Sequence, residues 1–151
     1  MLLIKKFIIL ILLSSSIFFT ESKAEDKFLS LKNNIVNVRH QPTGNSQIKY
    51  IYKKINLPVK QIDKKENYSR IIDLKNNSGW IHSSQLKPSN SIIILEDKIL
   101  FKGPSNFSKP IVRLEEGRLL VVNKCKKNWC SIKTDTYSGW VKTNNIWGSI
   151  K

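Results

Sequence analysis

The sequence is poor in the residues from which most active sites are built. Its 151 positions hold 2 histidines, 2 cysteines, 6 glycines and 11 acidic residues. His40 and His82 sit in different strand or loop contexts, and no third ligand-type residue stands at metal spacing from either. No His-Glu-x-x-His, phosphate-loop or dinucleotide glycine pattern occurs. None of the serines occupies a Gly-x-Ser-x-Gly turn. Asp63 and Glu66 are three apart, but they flank a turn read at Lys64–Asn67, where solvated charge accounts for them. The expectation is a protein with no catalytic residue, no metal and no cofactor.

Arginine is the next shortage. Only 4 of the 26 basic residues are Arg, although the formal net charge is +15. A strongly basic chain ordinarily suggests a polyanion partner. Forked recognition of phosphate favours Arg over Lys, however. With 22 Lys, the chain reads as a diffusely solvated basic surface with loose attraction to anionic envelope polymers, and not as a nucleic-acid binder.

A long hydrophobic run is also missing. Lys5 and Lys6 precede Phe7–Phe19, an apolar stretch of 13 residues of which three are serine. A membrane-crossing helix needs about 20 apolar residues. Ser22 and Ala24 are the small residues that frame a signal-peptidase cut, so residues 1–24 read as a signal peptide. An uncleaved anchor is the competing reading. No cysteine follows the run, which leaves no site for a lipid-modified N-terminus. The mature chain would begin at Glu25. Its net charge would be +13, because the leader takes three lysines and one glutamate with it. The expected location is periplasmic or secreted, with no stable membrane insertion after cleavage.

Cys125 and Cys130 are the only cysteines. An even count in an exported chain reads as a disulfide. If Lys127-Asn128 makes a two-residue hairpin turn, the pair falls on opposite positions of neighbouring strands. Two free buried thiols are the other reading. The spacing is not Cys-x-x-Cys and no histidine is near, so neither makes the pair catalytic.

What is present is a repeat. Pro42 returns as Pro104 at an offset of 62, Asn67-Tyr68 as Asn128-Trp129 at 61, and Ser78-Gly79-Trp80 as Ser138-Gly139-Trp140 at 60. A period near 60 residues marks a repeated small domain. The apolar runs in each copy are short, rich in β-branched and aromatic residues, and bounded by Gly, Pro, Asn or Ser, so they read as strands. In the first copy these are Ile35–Arg39, Lys49–Lys54, Leu57–Asp63, Tyr68–Leu74 and Trp80–His82. The second gives Lys98–Lys102, Ile111–Leu114, Leu119–Lys124, Trp129–Lys133 and Trp140–Lys142, with an extra leading strand at Ile92–Leu95. Ser83–Leu86 and Thr143–Ile146 suit single 3₁₀ turns. The fold class is all-β: two tandem SH3-like small barrels, over 25–88 and 89–151, after the leader.

In order and content these segments resemble the bacterial SH3 domain family across the mature chain. Val36-Asn37-Val38-Arg39 followed by Pro42 resembles its opening strand and loop. Asn128-Trp129-Cys130 and the two Gly-Trp segments resemble its later hairpins. Gln41 and Asn56 stand where that family usually has Gly, and Phe101 stands in the place of Arg39. The resemblance implies a non-catalytic exported binding module whose partner is a cell-wall peptide or an envelope protein.

It also implies candidate ligand-binding residues. Tyr68, Trp129, Trp80 and Trp140 are aromatics of the kind an SH3-like barrel holds in a shallow groove for extended peptides. Aromatics equally fill small cores and barrel contacts, and for Trp80 and Trp140 that structural role is favoured. Arg39 either meets a ligand carboxylate or clamps its own loop, the clamp being preferred. Tyr50 and Tyr52 share a strand face opposite Ile51, which leaves at least one of them exposed.

Overall fold

The computed structural model describes residues 26–149. The leader and its cut after Ala24 lie outside the described residues. The first barrel contains β1 (Lys27–Leu31), β2 (Val36–Arg39), β3 (Ile48–Tyr52), β4 (Pro58–Lys65), β5 (Tyr68–Ile72), β6 (Ser78–His82) and β7 (Leu86–Pro88), with a 3₁₀ turn at Ser83–Gln85. The second contains β8 (Ser91–Ile94), β9 (Lys98–Phe101), β10 (Pro110–Leu114), β11 (Leu119–Lys126), β12 (Trp129–Lys133), β13 (Ser138–Lys142) and β14 (Ile146–Trp147). Each set curls into one antiparallel sheet, in the order β3-β2-β6-β5-β4-β1-β7 and, equivalently, β10-β9-β13-β12-β11-β8-β14. These are two tandem SH3-like barrels.

Strand alternation explains the cores. On β5 and β6, Ser69, Ile71, Gly79 and Ile81 point inward, while Tyr68, Arg70, Trp80 and His82 point outward. Leu31, Val36, Val38, Val59, Ile71 and Ile81 fill the first barrel. Ile92, Ile94, Leu100, Leu114, Leu120 and Ile132 fill most of the second. Burying each such side chain stabilises by about 1.5–3 kcal/mol. The repeated glycine has a steric cause. A Cβ at Gly79 would run into Val38 Cγ1 and Arg39 O, and one at Gly139 would lie 2.5 Å from Phe101 O. Only glycine lets β6 and β13 close against β2 and β9.

Several expectations change. The leading strand Ile92–Leu95 is not extra to the second copy: β8 has its counterpart in β1. Pro58 pairs with Ser30 as Leu119 pairs with Ile93, an offset of 63 between the leading strands. The first copy's strand escaped notice because KFLSL is short and mixes polar with apolar residues. Thr143–Ile146 is not a 3₁₀ turn. Asn145 takes a positive φ of 49° there, and the chain enters β14 directly. Neither Tyr50 nor Tyr52 is fully exposed. Both pack against the core, and Ile51 is the exposed member at 45%. Asn56 does occupy the left-handed region, at φ 62°, as Gly117 does at the matching turn at φ 80°. Gln41 has no positive φ and needs no glycine there.

The sliding offset lies in three connections. Those joining β8–β9, β10–β11 and β12–β13 are each one residue shorter than their counterparts β1–β2, β3–β4 and β5–β6. The long β2–β3 loop, the two-residue β4–β5 turn and the β6–β7 link keep their lengths in the second barrel. Where the first core has Val36, the second has Lys98, 7% exposed, its Nζ 2.8 Å from Glu96 Oε1. Asn144 and Asn145 donate to the same carboxylate and tie the last link to this corner. These bonds, Lys98 foremost, hold the Glu96 carboxyl below its ordinary range.

The last strand locks the barrels together. Trp147 Nε1–H donates to Pro58 O at 3.0 Å. Its ring meets Phe28 edge-on, with centroids 5.1 Å apart.

Candidate functional site

The outer face of β6, β5 and β2 gathers four of the first barrel's unusual side chains. Arg39 and Trp80 are directly paired across strands, and Tyr68 is paired with His82. The Tyr68 ring meets the His82 ring edge-on at 5.0 Å. Its hydroxyl also reaches the β2–β3 loop, where a Cβ on Gly44 would lie 3.8 Å away. His82 Nδ1 accepts from Ser84 N–H at 3.3 Å and lies 2.7 Å from Ser84 Oγ. This caps the 3₁₀ turn, so His82 is committed to structure.

Arg39 is committed too. Its Nη1 donates to Ser46 O at 2.6 Å, holding the β2–β3 loop closed. Ser46 Oγ in turn accepts from Gln41 N–H at 2.9 Å. The loop clamp anticipated from sequence is therefore the role the geometry supplies.

The second barrel repeats this face with other chemistry. Phe101 replaces Arg39 and pairs with Trp140. Its ring lies 5.6 Å from that of Trp129, edge-on. Trp129 is paired with Lys142, whose Nζ stands 5.6 Å from the Trp129 ring centroid. Lys124 Nζ stands 5.8 Å from that of Trp140. Tyr68, Trp129, Trp80 and Trp140 are all half-buried on these outer faces, not in the cores. Within each barrel they share one outer face, Tyr68 packing on His82 beside Trp80, and Trp129 packing on Phe101 beside Trp140.

Cys125 and Cys130 are bonded to each other and are directly opposite in the β11–β12 hairpin. The bridge closes the hairpin whose outer side carries Lys124, Lys126 and Trp129. Sequence reasoning passed over Lys124 and Lys142. The available signal was periodicity, since Lys142 follows Trp140 by two residues and must share its face.

A second feature lies elsewhere. A cleft of about 590 Å³ opens along β1, β4 and β7, lined by Phe28, Leu29, Gln61, Ser69, Leu86 and Pro88. None of the five candidate ligand-binding residues lines it. Behind β3, Tyr52 donates its hydroxyl to Asp73 Oδ2 at 2.9 Å. Burial, followed by bonding to Tyr50 and the Asp73 charge, pushes the Tyr52 pKa far above its ordinary value. Among the described residues no group of three or more His, Cys, Asp or Glu side chains is placed to hold a metal.

Two small barrels with aromatic outer faces define an SH3-type recognition fold. The bacterial SH3 domain model matches residues 32–88 and again 97–148, and the chain belongs to that family. No curated protein shows a significant sequence match to it. Among solved structures, NlpC2 from Trichomonas vaginalis overlays with a TM-score of 0.38 at 11% identity, covering 82% of this chain and 48% of that one. NlpC1 from Trichomonas vaginalis gives 0.39 at 10% identity, covering 86% and 48%. The chain thus spans about half the length of these two proteins.

Proposed function

We propose that the protein is a non-catalytic, exported binding module that recognises a cell-wall peptide or an envelope protein through the aromatic faces of its barrels. One observation carries this. Aliphatic side chains already fill both cores, yet aromatic pairs stand half-exposed at equivalent outer positions of the two barrels. Core filling does not account for them, and half-exposed rings of this kind suit contact with a ligand. The disulfide supports export, because such bonds persist in oxidising compartments. A second reading is a basic protein drawn to anionic envelope polymers, favoured by the excess of lysine.

Titration of the mature protein with cell-wall peptides, at low salt and at about 0.5 M salt where charges are screened within roughly 4 Å, separates the two. Aromatic recognition predicts affinity that survives the salt and falls in Tyr68→Ala or Trp129→Ala proteins of unchanged thermal midpoint. Binding that vanishes with salt and ignores both replacements would leave only the polyanion reading.

A further inference from the structure

The two outer faces have the same frame and different electrostatic character. Around Trp129 and Trp140 lie Lys124, Lys126, Lys127 and Lys142, all exposed. None of the four is in an ion pair among the described residues. The positions matching Lys124, Lys127 and Lys142 in the first barrel are Asp63, Glu66 and His82, at offsets of 61, 61 and 60, while Lys126 is matched by Lys65, and Arg70 is paired with Trp80 where the second barrel pairs Ser131 with Trp140. The first face thus mixes Lys65 and Arg70 with Asp63 and Glu66, whereas the second carries cations alone, with Arg39 spent on its loop and Phe101 adding a third ring to the second.

We infer that the second barrel's outer face is a binding site for an anionic saccharide, and that the first barrel's face is not. This rests on the binding-module reading and assigns a ligand class to one barrel. Three observations select the ligand. The cations have no acidic partner among the described residues, so an incoming carboxylate meets no competing one. Each of two ammonium groups stands within 6 Å of a ring centroid, at 5.6 and 5.8 Å, so ring and charge fall within the reach of one sugar residue. Both ammonium groups lie over their rings, and both lysines are exposed, so a pyranose bearing a carboxylate can draw the ammonium aside to its charge and lay its C–H face on the ring so uncovered. Finally, β12 and β13 are interior strands paired on both sides, so any ligand meets this face through side chains alone, which suits a sugar as ring contact and ion pair together. The Cys125–Cys130 bridge holds Lys124 and Lys126 opposite the strand that bears Trp129. Preorganisation of this kind lowers the ordering cost of binding.

The test follows the indole N–H signals of the ¹⁵N-labelled mature protein during titration with an oligogalacturonate. Two controls accompany it: the same oligosaccharide with its carboxylates reduced to alcohols, and an oligoglutamate of equal charge. The acidic saccharide is expected to shift Trp129 and Trp140 and to leave Trp80 in place. Both controls should bind at least tenfold more weakly. The exposed pair Lys124→Gln/Lys142→Gln, which leaves the core untouched, should lower saccharide affinity about tenfold, the sum of two exposed ionic contacts. Equal binding by oligoglutamate would overturn the proposal in favour of an acidic peptide or bare charge. Equal binding by the neutral sugar, shifts at Trp80 matching those at Trp129, or no effect of the lysine replacements would each overturn it as well. Failure of cell-wall peptides to bind would leave this result untouched, because the probes differ.

Discussion

Ser30 and Ser91, one from each barrel, meet hydroxyl to hydroxyl at 2.8 Å with no exposed surface. The surrounding bonds fix the direction of both protons. Ser91 donates to Asn56 O, so its oxygen must accept from Ser30, and Ser30 in turn accepts from Asn90 N–H at 3.3 Å. The result is one chain of donors, Asn90 N–H to Ser30 to Ser91 to the Asn56 carbonyl, crossing the seam with both hydroxyls donating and accepting.

Ser91→Ala breaks that chain in the middle and leaves the buried Ser30 proton without an acceptor and the part-buried Asn56 carbonyl without a donor. The expected loss is about 2–3 kcal/mol in urea unfolding. Ser30→Ala should cost less, since Ser91 keeps its acceptor. The double replacement should fall short of the sum by about 1 kcal/mol, as contacting residues do. Strict additivity would show that the two serines act separately.

Tyr52→Phe removes the bond to Asp73, which also organises the β5–β6 loop by accepting from Lys75 N–H and Asn77 N–H. The cost should be about 1–2 kcal/mol at neutral pH. The pH dependence follows from the raised pKa. The unfolded phenol ionises near 10.0 while the folded one resists, so the stabilisation is complete below that pH and drains away above it. The gap between wild type and Tyr52→Phe should therefore narrow as unfolding is measured from pH 9 to pH 11, about one unit either side of the ordinary tyrosine value. A constant gap would mean that the phenol ionises equally in both states.

Arg39→Ala should free the β2–β3 loop. Amide exchange across 40–47 is expected to quicken, with a global loss near 1 kcal/mol for one partly buried bond. A variant with unchanged exchange but weakened ligand binding would instead place Arg39 in the recognition surface.

Replacing Cys125 and Cys130 together by serine opens a very short loop, so the loss should be only about 2 kcal/mol. Faster exchange should be confined to β11 and β12. Mass spectrometry under non-reducing conditions should show the wild-type protein two hydrogens lighter than its reduced form, with no alkylation. Two alkylated cysteines in freshly isolated protein would contradict the bridge.

Much of this architecture is legible because repetition checks itself. Ser-Gly-Trp recurring at 60 points to a shared closure, and the structure supplies the reason in the space denied to a Cβ at Gly79 and Gly139. The Cys125–Cys130 pairing follows from a two-residue turn that fixes register. The sheet edges were harder. Ile146–Trp147 is two residues long and Lys27–Leu31 has little apolar pattern, so both are strands only because β8, β4 and β7 pair with them. In sequence Lys98 is an ordinary strand residue, because its burial depends on Glu96 and on Asn144, the latter 46 residues away. The aromatic faces were visible as residues. Their charge contrast emerges only when Lys124 and Lys142 are seen beside the rings.

The three shortened connections carry a history. The two copies differ by one residue in each of three links, β8–β9, β10–β11 and β12–β13 being the shorter members. The three connections of constant length include the long loop that meets Tyr68 and the turn from which Tyr68 and Trp129 emerge. Divergence around the aromatic faces therefore proceeded by exchanging side chains on an inherited frame. The pair is a natural side-by-side experiment, in which backbone length is held fixed and charge is the variable.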